Sequence, residues 1–245
     1  MIKLLNENAP FPFFEDGVFS IRQRAFFDSY GASAKFFSTW VQTDEENGTT
    51  AVITSLSGDI TLSLCDRADF EEINEFLGVI GFSSIFLNNS YASFFPFEQI
   101  ETGSIMELKK TLPECDFSPC EPDYKAVFDL LFENEKEVSF SDWFTDISLR
   151  IRRDTAVPDV FVIDCETVAC AFCQAKTKTG ALIGFVKTDK KYRKKGIGTL
   201  LVTRLCSFLQ QNGLKIYLCR EKNKNKEFYS RIGFEDCGEW ASVKK

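Results

Sequence analysis

Six apolar residues, Ile197, Leu200, Leu201, Leu205, Phe208 and Leu209, recur at the spacing of one helical face directly after Gly196 and Gly198. Such a stripe must be buried against another element, which commits residues 196–211 to an amphipathic helix on a core. It also puts two glycines at the helix N-terminus. The first backbone N–H groups there lack intrahelical partners and the helix dipole is positive, so an anion is favoured without any special side chain. Glycine lets that backbone approach ligand oxygens with no Cβ in the way.

The turn before the helix strengthens this reading. Lys187, Lys190, Lys191, Arg193, Lys194 and Lys195 are interrupted by a single acid, Asp189, in a chain of net charge −7. A basic run by itself reads as a solvated turn or a nuclear-localisation-like segment. Ahead of glycines at a helix start it suits a bound diphosphate. The pattern is not a P-loop, because no Gly-Lys-Ser/Thr follows, and not a dinucleotide fingerprint, because Leu201 holds the third glycine position. The acidic balance argues against a dedicated nucleic-acid binder.

The chain has 245 residues, enough for two domains of ordinary size. The first half reads as a helix near Asp16 to Tyr30, strands near Phe36 to Thr43, Thr50 to Ser57 and Asp59 to Cys65, a helix near Asp69 to Gly81 and a strand at Ser84 to Asn88. Ser57-Gly58-Asp59 marks a hairpin. Phe70, Ile73, Phe76, Leu77 and Ile80 have helical spacing, with Asp69 as N-cap. Leu112 to Asp123, with Pro113, Pro119 and Pro122, lacks periodicity and divides the chain into domains 1–115 and 116–245. The second half reads as helices near Tyr124 to Glu133 and Ser141 to Arg152, then strands at Asp159 to Asp164, Thr167 to Ala175 and Ala181 to Thr188. After the helix at 196–211 come a strand Lys215 to Cys219, a short helix near Asn225 to Ile232 and a last strand from Phe234. The order of strands, helix and strand is echoed in the first half, as a degenerate duplication would leave it.

Composition removes several kinds of chemistry. With no His in the chain, His metal sites, Ser-His triads and the usual general base are excluded together. Proton transfer falls to carboxylate, Tyr, Cys, Lys or water. Cys170-Ala171-Phe172-Cys173 has CxxC spacing inside a strand, where the two side chains point to opposite faces, so buried apolar thiols are expected rather than a metal site. No apolar run nears the roughly 20 residues a bilayer crossing takes. The start has no uninterrupted apolar stretch of the signal-peptide kind. A cytoplasmic protein, monomeric or homodimeric, with neither membrane nor nucleic-acid partner is the expectation.

The succession of strand, basic turn, Gly-x-Gly, amphipathic helix and strand, followed by Phe228-Tyr229-Ser230-Arg231-Ile232-Gly233-Phe234, resembles the second half of the GNAT acetyltransferase domain. The family turn, Arg/Gln-x-x-Gly-x-Gly/Ala, is matched from Arg193 to Gly198. Its late Tyr with a following Gly-Phe is matched by Tyr229, Gly233 and Phe234. The match runs from Ala181 to Trp240 and extends less clearly back to residue 120. The resemblance implies an α/β (α+β) fold, a mixed, mostly antiparallel sheet flanked by helices, with a second smaller α/β domain at the N-terminus.

The resemblance further implies an acetyl-CoA-dependent N-acetyltransferase acting on a primary amine of a small molecule or peptide, and no metal. The pyrophosphate would lie on the backbone of Lys194, Lys195, Gly196, Ile197, Gly198 and Thr199, with Arg193, Lys194 and Lys195 adding charge. Pantetheine would run along Val186, Lys187 and Thr188, on a strand that splays from Lys215 to Cys219 and so frees amides to polarise the thioester carbonyl. Tyr229 stands where the family often has a general acid for the leaving thiolate, the alternative being a ring packed under the helix. The family's CoA-contacting Asn falls at Lys222 by spacing, so Asn225 is carried over in its place. Glu166, Glu221 and ordered water are the candidate bases. A non-catalytic acyl-CoA-binding module fits the same motif.

Overall fold

The computed structural model describes residues 1–6, 9–12, 17–32, 34–97, 100–118, 121–133, 135 and 138–244. The expected first-helix start at Asp16, and Pro119 of the expected boundary, lie outside these. In chain order the elements are β1 (Ile2–Leu4), α1 (Val18–Tyr30), β2 (Phe37–Thr43), β3 (Thr49–Leu56), β4 (Asp59–Leu64), α2 (Phe70–Ile80), β5 (Ser84–Asn88) and β6 (Glu101–Leu108). Then follow α3 (Tyr124–Leu131), α4 (Phe140–Arg152), β7 (Val157–Ile163), β8 (Glu166–Lys176), β9 (Gly180–Thr188), α5 (Ile197–Gln211), β10 (Lys215–Glu221), α6 (Lys226–Ile232) and β11 (Phe234–Lys244). Among the described residues no helix is long and apolar enough to cross a membrane.

Two compact units result. The first comprises Met1–Ile105, Arg220–Lys224 and Asp236–Lys245, the second Met106–Cys219 and Asn225–Glu235. The expected boundary between residues 115 and 116 leaves the last strand in the C-terminal part. Instead β11 pairs antiparallel with β5, from Trp240↔Asn88 to Lys244↔Ser84, and completes the first unit. Hydrophobic patterning specifies that a strand must be covered, whereas its partner is chosen by long-range packing.

In the first unit the strand order is β1-β2-β3-β4-β5-β11-β6. The β3–β4 hairpin turns on Ser57 (φ 51°) and Gly58 (φ 93°), both left-handed, as a two-residue turn of the I′ kind requires. Helix α2 buries Ile73 and Leu77 against Ile53, Ile60, Leu62 and Leu87. Asp69 caps it, accepting a hydrogen bond from the Glu72 amide at 3.0 Å. Strand β6 was not expected: its short run of Ile105, Met106 and Leu108 follows a glycine that weakens any strand pattern. Gly103 is there because the indole of Trp240 lies against it. A Cβ at that position would stand 2.3 Å from both the Trp240 ring and the Arg220 carbonyl. The Trp240 Nε1 donates to that same carbonyl at 3.2 Å.

In the second unit the order runs β10-β9-β8-β7, antiparallel except for β10 beside β9. Residues alternate along β8. Ala169, Ala171 and Cys173 face α5 with its Leu201, Val202, Leu205 and Leu209. Cys170 and Phe172 face α3 and α4 with Val127, Leu131, Trp143 and Ile147. The CxxC cysteines therefore enter different cores, and burial pushes each thiol up to about 12. Each fully buried Leu or Val contributes roughly 1.5–3 kcal/mol relative to exposure, so α5 depends on this stripe more than on helix propensity. The irregular segment expected to be a linker is strapped along α5. Leu112 N donates to Gln210 Oε1 at 3.0 Å, Gln210 Nε2 to the Lys110 carbonyl at 2.9 Å and Ser207 Oγ to the Pro113 carbonyl at 2.7 Å. Phe117 packs on Phe208, ring centres 4.9 Å apart.

Gly103→Ala is expected to destabilise the protein by about 3 kcal/mol, the upper end of the range for overpacking, because neither an indole nor a carbonyl can retreat cheaply. Urea unfolding checks this, and an unchanged midpoint would mean that Trp240 does not rest on Gly103.

Candidate active site

Strands β9 and β10 are paired in parallel from Gly180↔Lys215 only as far as Ile183↔Leu218. Beyond that point β9 continues to Thr188 with β8 alone, through Lys187↔Cys170 and Thr188↔Ala169. The backbone groups of residues 185–188 that face away from β8 thus have no ladder partner on β10. This is the divergence that the sequence reading expected for Val186, Lys187 and Thr188. The unexpected feature is Phe185, an aromatic residue in a strand with φ 50°.

The turn that follows delivers the chain to α5. Lys194 (φ 61°) and the helix N-cap Gly196 (φ 81°) are left-handed, and Gly196 offers no side-chain cap. A Cβ at Gly196 would meet nothing within 4 Å, so its requirement is purely conformational. Gly198 is different. A Cβ there would stand 3.2 Å from Thr188 Oγ1 and 3.7 Å from the Phe228 ring, so the glycine seats the helix start closely on the end of β9. Ile197 is buried and Thr199 exposed. The uncapped first turn contrasts with α2 of the first unit. That helix has Asp69 as its cap, carries Glu71 and Glu72 in its first turn, and lies next to Arg67, which is paired with Asp44 at 2.5 Å. An anion is favoured at the first of these helix starts and repelled at the second.

The basic cluster divides its labour. Arg193 Nε donates to the Thr188 carbonyl at 3.0 Å, tying the turn back to β9. Lys195 lies over the Tyr192 ring at 5.0 Å. Lys187 turns away and donates to the Leu131 carbonyl at 3.1 Å, at the C-terminal end of α3. Lys190 reaches Glu133 at 3.4 Å. Lys187 therefore contributes backbone, not charge, to this turn.

Asn225 begins α6 in a left-handed conformation (φ 60°), a region Asn tolerates, and is exposed. Tyr229, one turn later, packs its ring between Phe228 and Phe234, with centres 4.9 Å and 5.9 Å away. Burial, with the Cys206 thiol as a lesser cause, pushes its phenol up to about 12. Its ring is thus held by aromatic contacts, and the phenol is protonated at neutral pH. Gly233 ends α6 at φ 119°, where a Cβ would lie 2.4 Å from Lys110 Cβ, so the Gly-Phe of the motif answers to packing. Glu166 is exposed at the β7–β8 turn, three residues beyond the pairing of Ala169 with Thr188. Glu221 belongs to the first unit and pairs with Lys224 at 2.5 Å.

Two contributors escaped the sequence reading. Asp159, almost wholly buried on β7, takes a bidentate pair of hydrogen bonds from Arg204 of α5, at 3.0 and 2.5 Å. Burial nonetheless leaves the carboxyl above its ordinary range, the Arg204 contacts opposing it. Trp143, Phe132 and Phe172 surround the Phe185 ring. Neither group has a motif, since each is assembled from elements far apart in sequence.

A pH dependence follows for Tyr229. A folded-state value above the free one of about 10 means that its contribution to stability is complete below pH 10 and is lost as pH rises through 12. Between pH 9 and pH 11 the wild type is expected to lose more stability than Tyr229→Phe, read from urea midpoints. Parallel losses would show the hydroxyl to be solvated.

A family model described as an acetyltransferase (GNAT) domain matches residues 158–236. No curated protein matches the chain. Among solved structures, a GNAT-family acetyltransferase from Colwellia psychrerythraea superposes with a TM-score of 0.57 at 10% identity, over 100% of this chain and 99% of that one. A tandem GNAT protein from the clavulanic acid biosynthesis pathway gives 0.58 at 13% identity, over 100% and 98%. A GCN5-related N-acetyltransferase from Kribbella flavida gives 0.61 at 12%, over 94% and 96%. At such identities the likeness is one of fold. Residues 158–236 thus match the GNAT acetyltransferase domain, and the chain as a whole, its N-terminal half included, resembles the GNAT fold.

Proposed function

We propose that the second unit transfers an acetyl group from acetyl-CoA to a primary amine of a small molecule or peptide by direct attack. The observation that carries this reading is the parting of β9 from β10 directly before an uncapped glycine turn. A cofactor with a long amide-bearing arm and a diphosphate suits these two features in that order. The backbone from Lys194 to Thr199 holds the pyrophosphate, with Arg193, Lys194 and Lys195 adding charge. Val186, Lys187 and Thr188 offer backbone to the pantetheine, and Asn225 contacts CoA from the start of α6. Acetyl-CoA, when bound, supplies an activated carbonyl with a thiolate leaving group.

The chain's own part is orientation and charge. An amide of β9 donates to the carbonyl oxygen as it gains negative charge, and Tyr229, protonated, donates to the departing sulfur. Glu166 sits at a hairpin tip beyond Thr188 and Glu221 is already paired, so ordered water takes the amine proton. The resulting arrangement asks little of side chains. It accommodates the absence of His from the sequence.

Titration calorimetry with CoA tests the binding half. Wild type is expected to bind one CoA per chain, and Gly198→Asp to lose that binding through bulk and repulsion at the anion site. Only a modest fall in stability should accompany the loss, because the new Cβ meets Thr188 Oγ1 at 3.2 Å. Undiminished affinity in the folded variant, or two CoA per chain, would overturn the assignment.

Turnover with a panel of amines tests the catalytic half. Tyr229→Phe keeps the packed ring and removes the hydroxyl, so kcat should fall about 10²-fold with KM for acetyl-CoA nearly unchanged. Full turnover in the variant with chemistry rate-limiting would reduce Tyr229 to a packing residue. CoA binding without turnover on any amine would favour a non-catalytic acyl-CoA-binding module.

A further inference from the structure

The β8–β9 ladder is irregular at two places: at one the extra residue is Gln174 of β8, between Cys173↔Ile183 and Ala175↔Leu182, and at the other it lies on β9. Phe172 of β8 pairs with Gly184 and Cys170 with Lys187, so Phe185 and Val186 together oppose the single residue Ala171. The extra residue is a bulge. Phe185 adopts φ 50° within it, a conformation disfavoured for a bulky side chain that persists only where the surroundings over-determine it.

Those surroundings are aromatic. The Phe185 ring meets Phe172 at 5.9 Å and 86°, Phe132 at 6.4 Å and 72°, and Trp143 at 6.4 Å and 76°, three edge-to-face contacts on one side chain. Its carbonyl accepts a weak hydrogen bond from Cys170 Sγ at 3.3 Å. Trp143 is the hub of the group, touching Phe128 at 5.7 Å and Phe132 at 6.1 Å in addition to Phe185. It is 7% exposed, and its Nε1 has no hydrogen-bond partner among the described residues, so ring contacts hold it.

We infer that Trp143 and Phe132 are positioning residues for acyl transfer, holding the β9 bulge through the Phe185 ring and so aiming the adjacent backbone amides at the thioester. The inference rests on the proposed acetyl-CoA reading for the role of those amides. Neither residue touches a reacting atom. Each acts through Phe185, whose backbone is part of the segment freed from β10.

The test uses the full chain with Trp143→Ala, Trp143→Phe and, should the alanine variant fail to fold, Phe132→Leu. The first readout is independent of catalysis. A crystal structure of the Ala (or Leu) variant is expected to have Phe185 at negative φ and the β8–β9 register closed over the lost bulge. Retention of the bulge overturns the inference whatever the activity. The second readout is kinetic. Trp143→Ala should lower kcat about 10²-fold, as a misplaced site does, with CoA affinity by calorimetry held within about threefold. Trp143→Phe, which forfeits no hydrogen bond, should restore most of kcat. A lowered melting temperature with unchanged kcat well below it, or CoA affinity falling in step with kcat, would reduce these residues to core packing. If wild type binds CoA but acetylates no amine, the functional reading fails by itself, and the crystallographic outcome still decides whether the aromatic cluster holds the bulge.

Discussion

Strand β8 has to satisfy two cores at once. Ala169, Ala171 and Cys173 carry α5 on one face, while Cys170 and Phe172 carry α3 and α4 on the other. A strand buried on both sides cannot slip by one residue without exchanging every contact, so its register is held tightly. Strand β9 takes its register from β8, and with it the position of its bulge and of its end at Thr188. The small residues on the α5 face let that helix lie close to the sheet. The aromatic on the other face gives Phe185 something to meet.

With β9 so placed, the helix start comes within reach. Gly198 fits against Thr188, Arg193 bonds to the Thr188 carbonyl, and the body of α5 is tied to β7 through Arg204 and buried Asp159. That ion pair is an orienting device more than a source of stability, because desolvating two charges offsets most of their attraction. Removing Arg204 would cost about 3–5 kcal/mol by leaving the Asp159 carboxylate buried alone, whereas Arg204 without Asp159 is part-exposed and keeps its contact with the Phe117 ring. The strap from Lys110 to Phe117 covers the outer side of the same helix, its carbonyls satisfied by Gln210 and Ser207. The first turn of α5 is left open while the remainder of the helix is held.

Electrostatics separates the two helix starts that the repeated pattern would equate. At α2 the cap is a carboxylate followed by two more acids. At α5 the cap is a glycine preceded by lysines and an arginine. The two halves share a fold pattern, but an anion site requires more than a helix end. It requires that nothing in the chain already satisfies those amides.

The basic glycine turn before α5 was legible because its signals are local: helical periodicity from Ile197 to Leu209, glycines at its start, and basic residues before it. Asp69 as a cap and the Ser57-Gly58 hairpin were legible for the same reason. The sequence by itself thus determined the elements, most of their ends and the character of the turn, since these depend on interactions spanning a few residues. Strand β6, the pairing of β11 with β5, the strapping of residues 110–117 on α5 and the cluster around Phe185 were not legible. Each joins residues tens of positions apart, whose meeting is selected by burial and shape rather than by spacing. Tyr229 illustrates the division. Its place after Asn225 and before Gly233 could be read from the chain, but the burial that pushes its phenol up to about 12 exists only once α5, α6 and the sheet have closed around it.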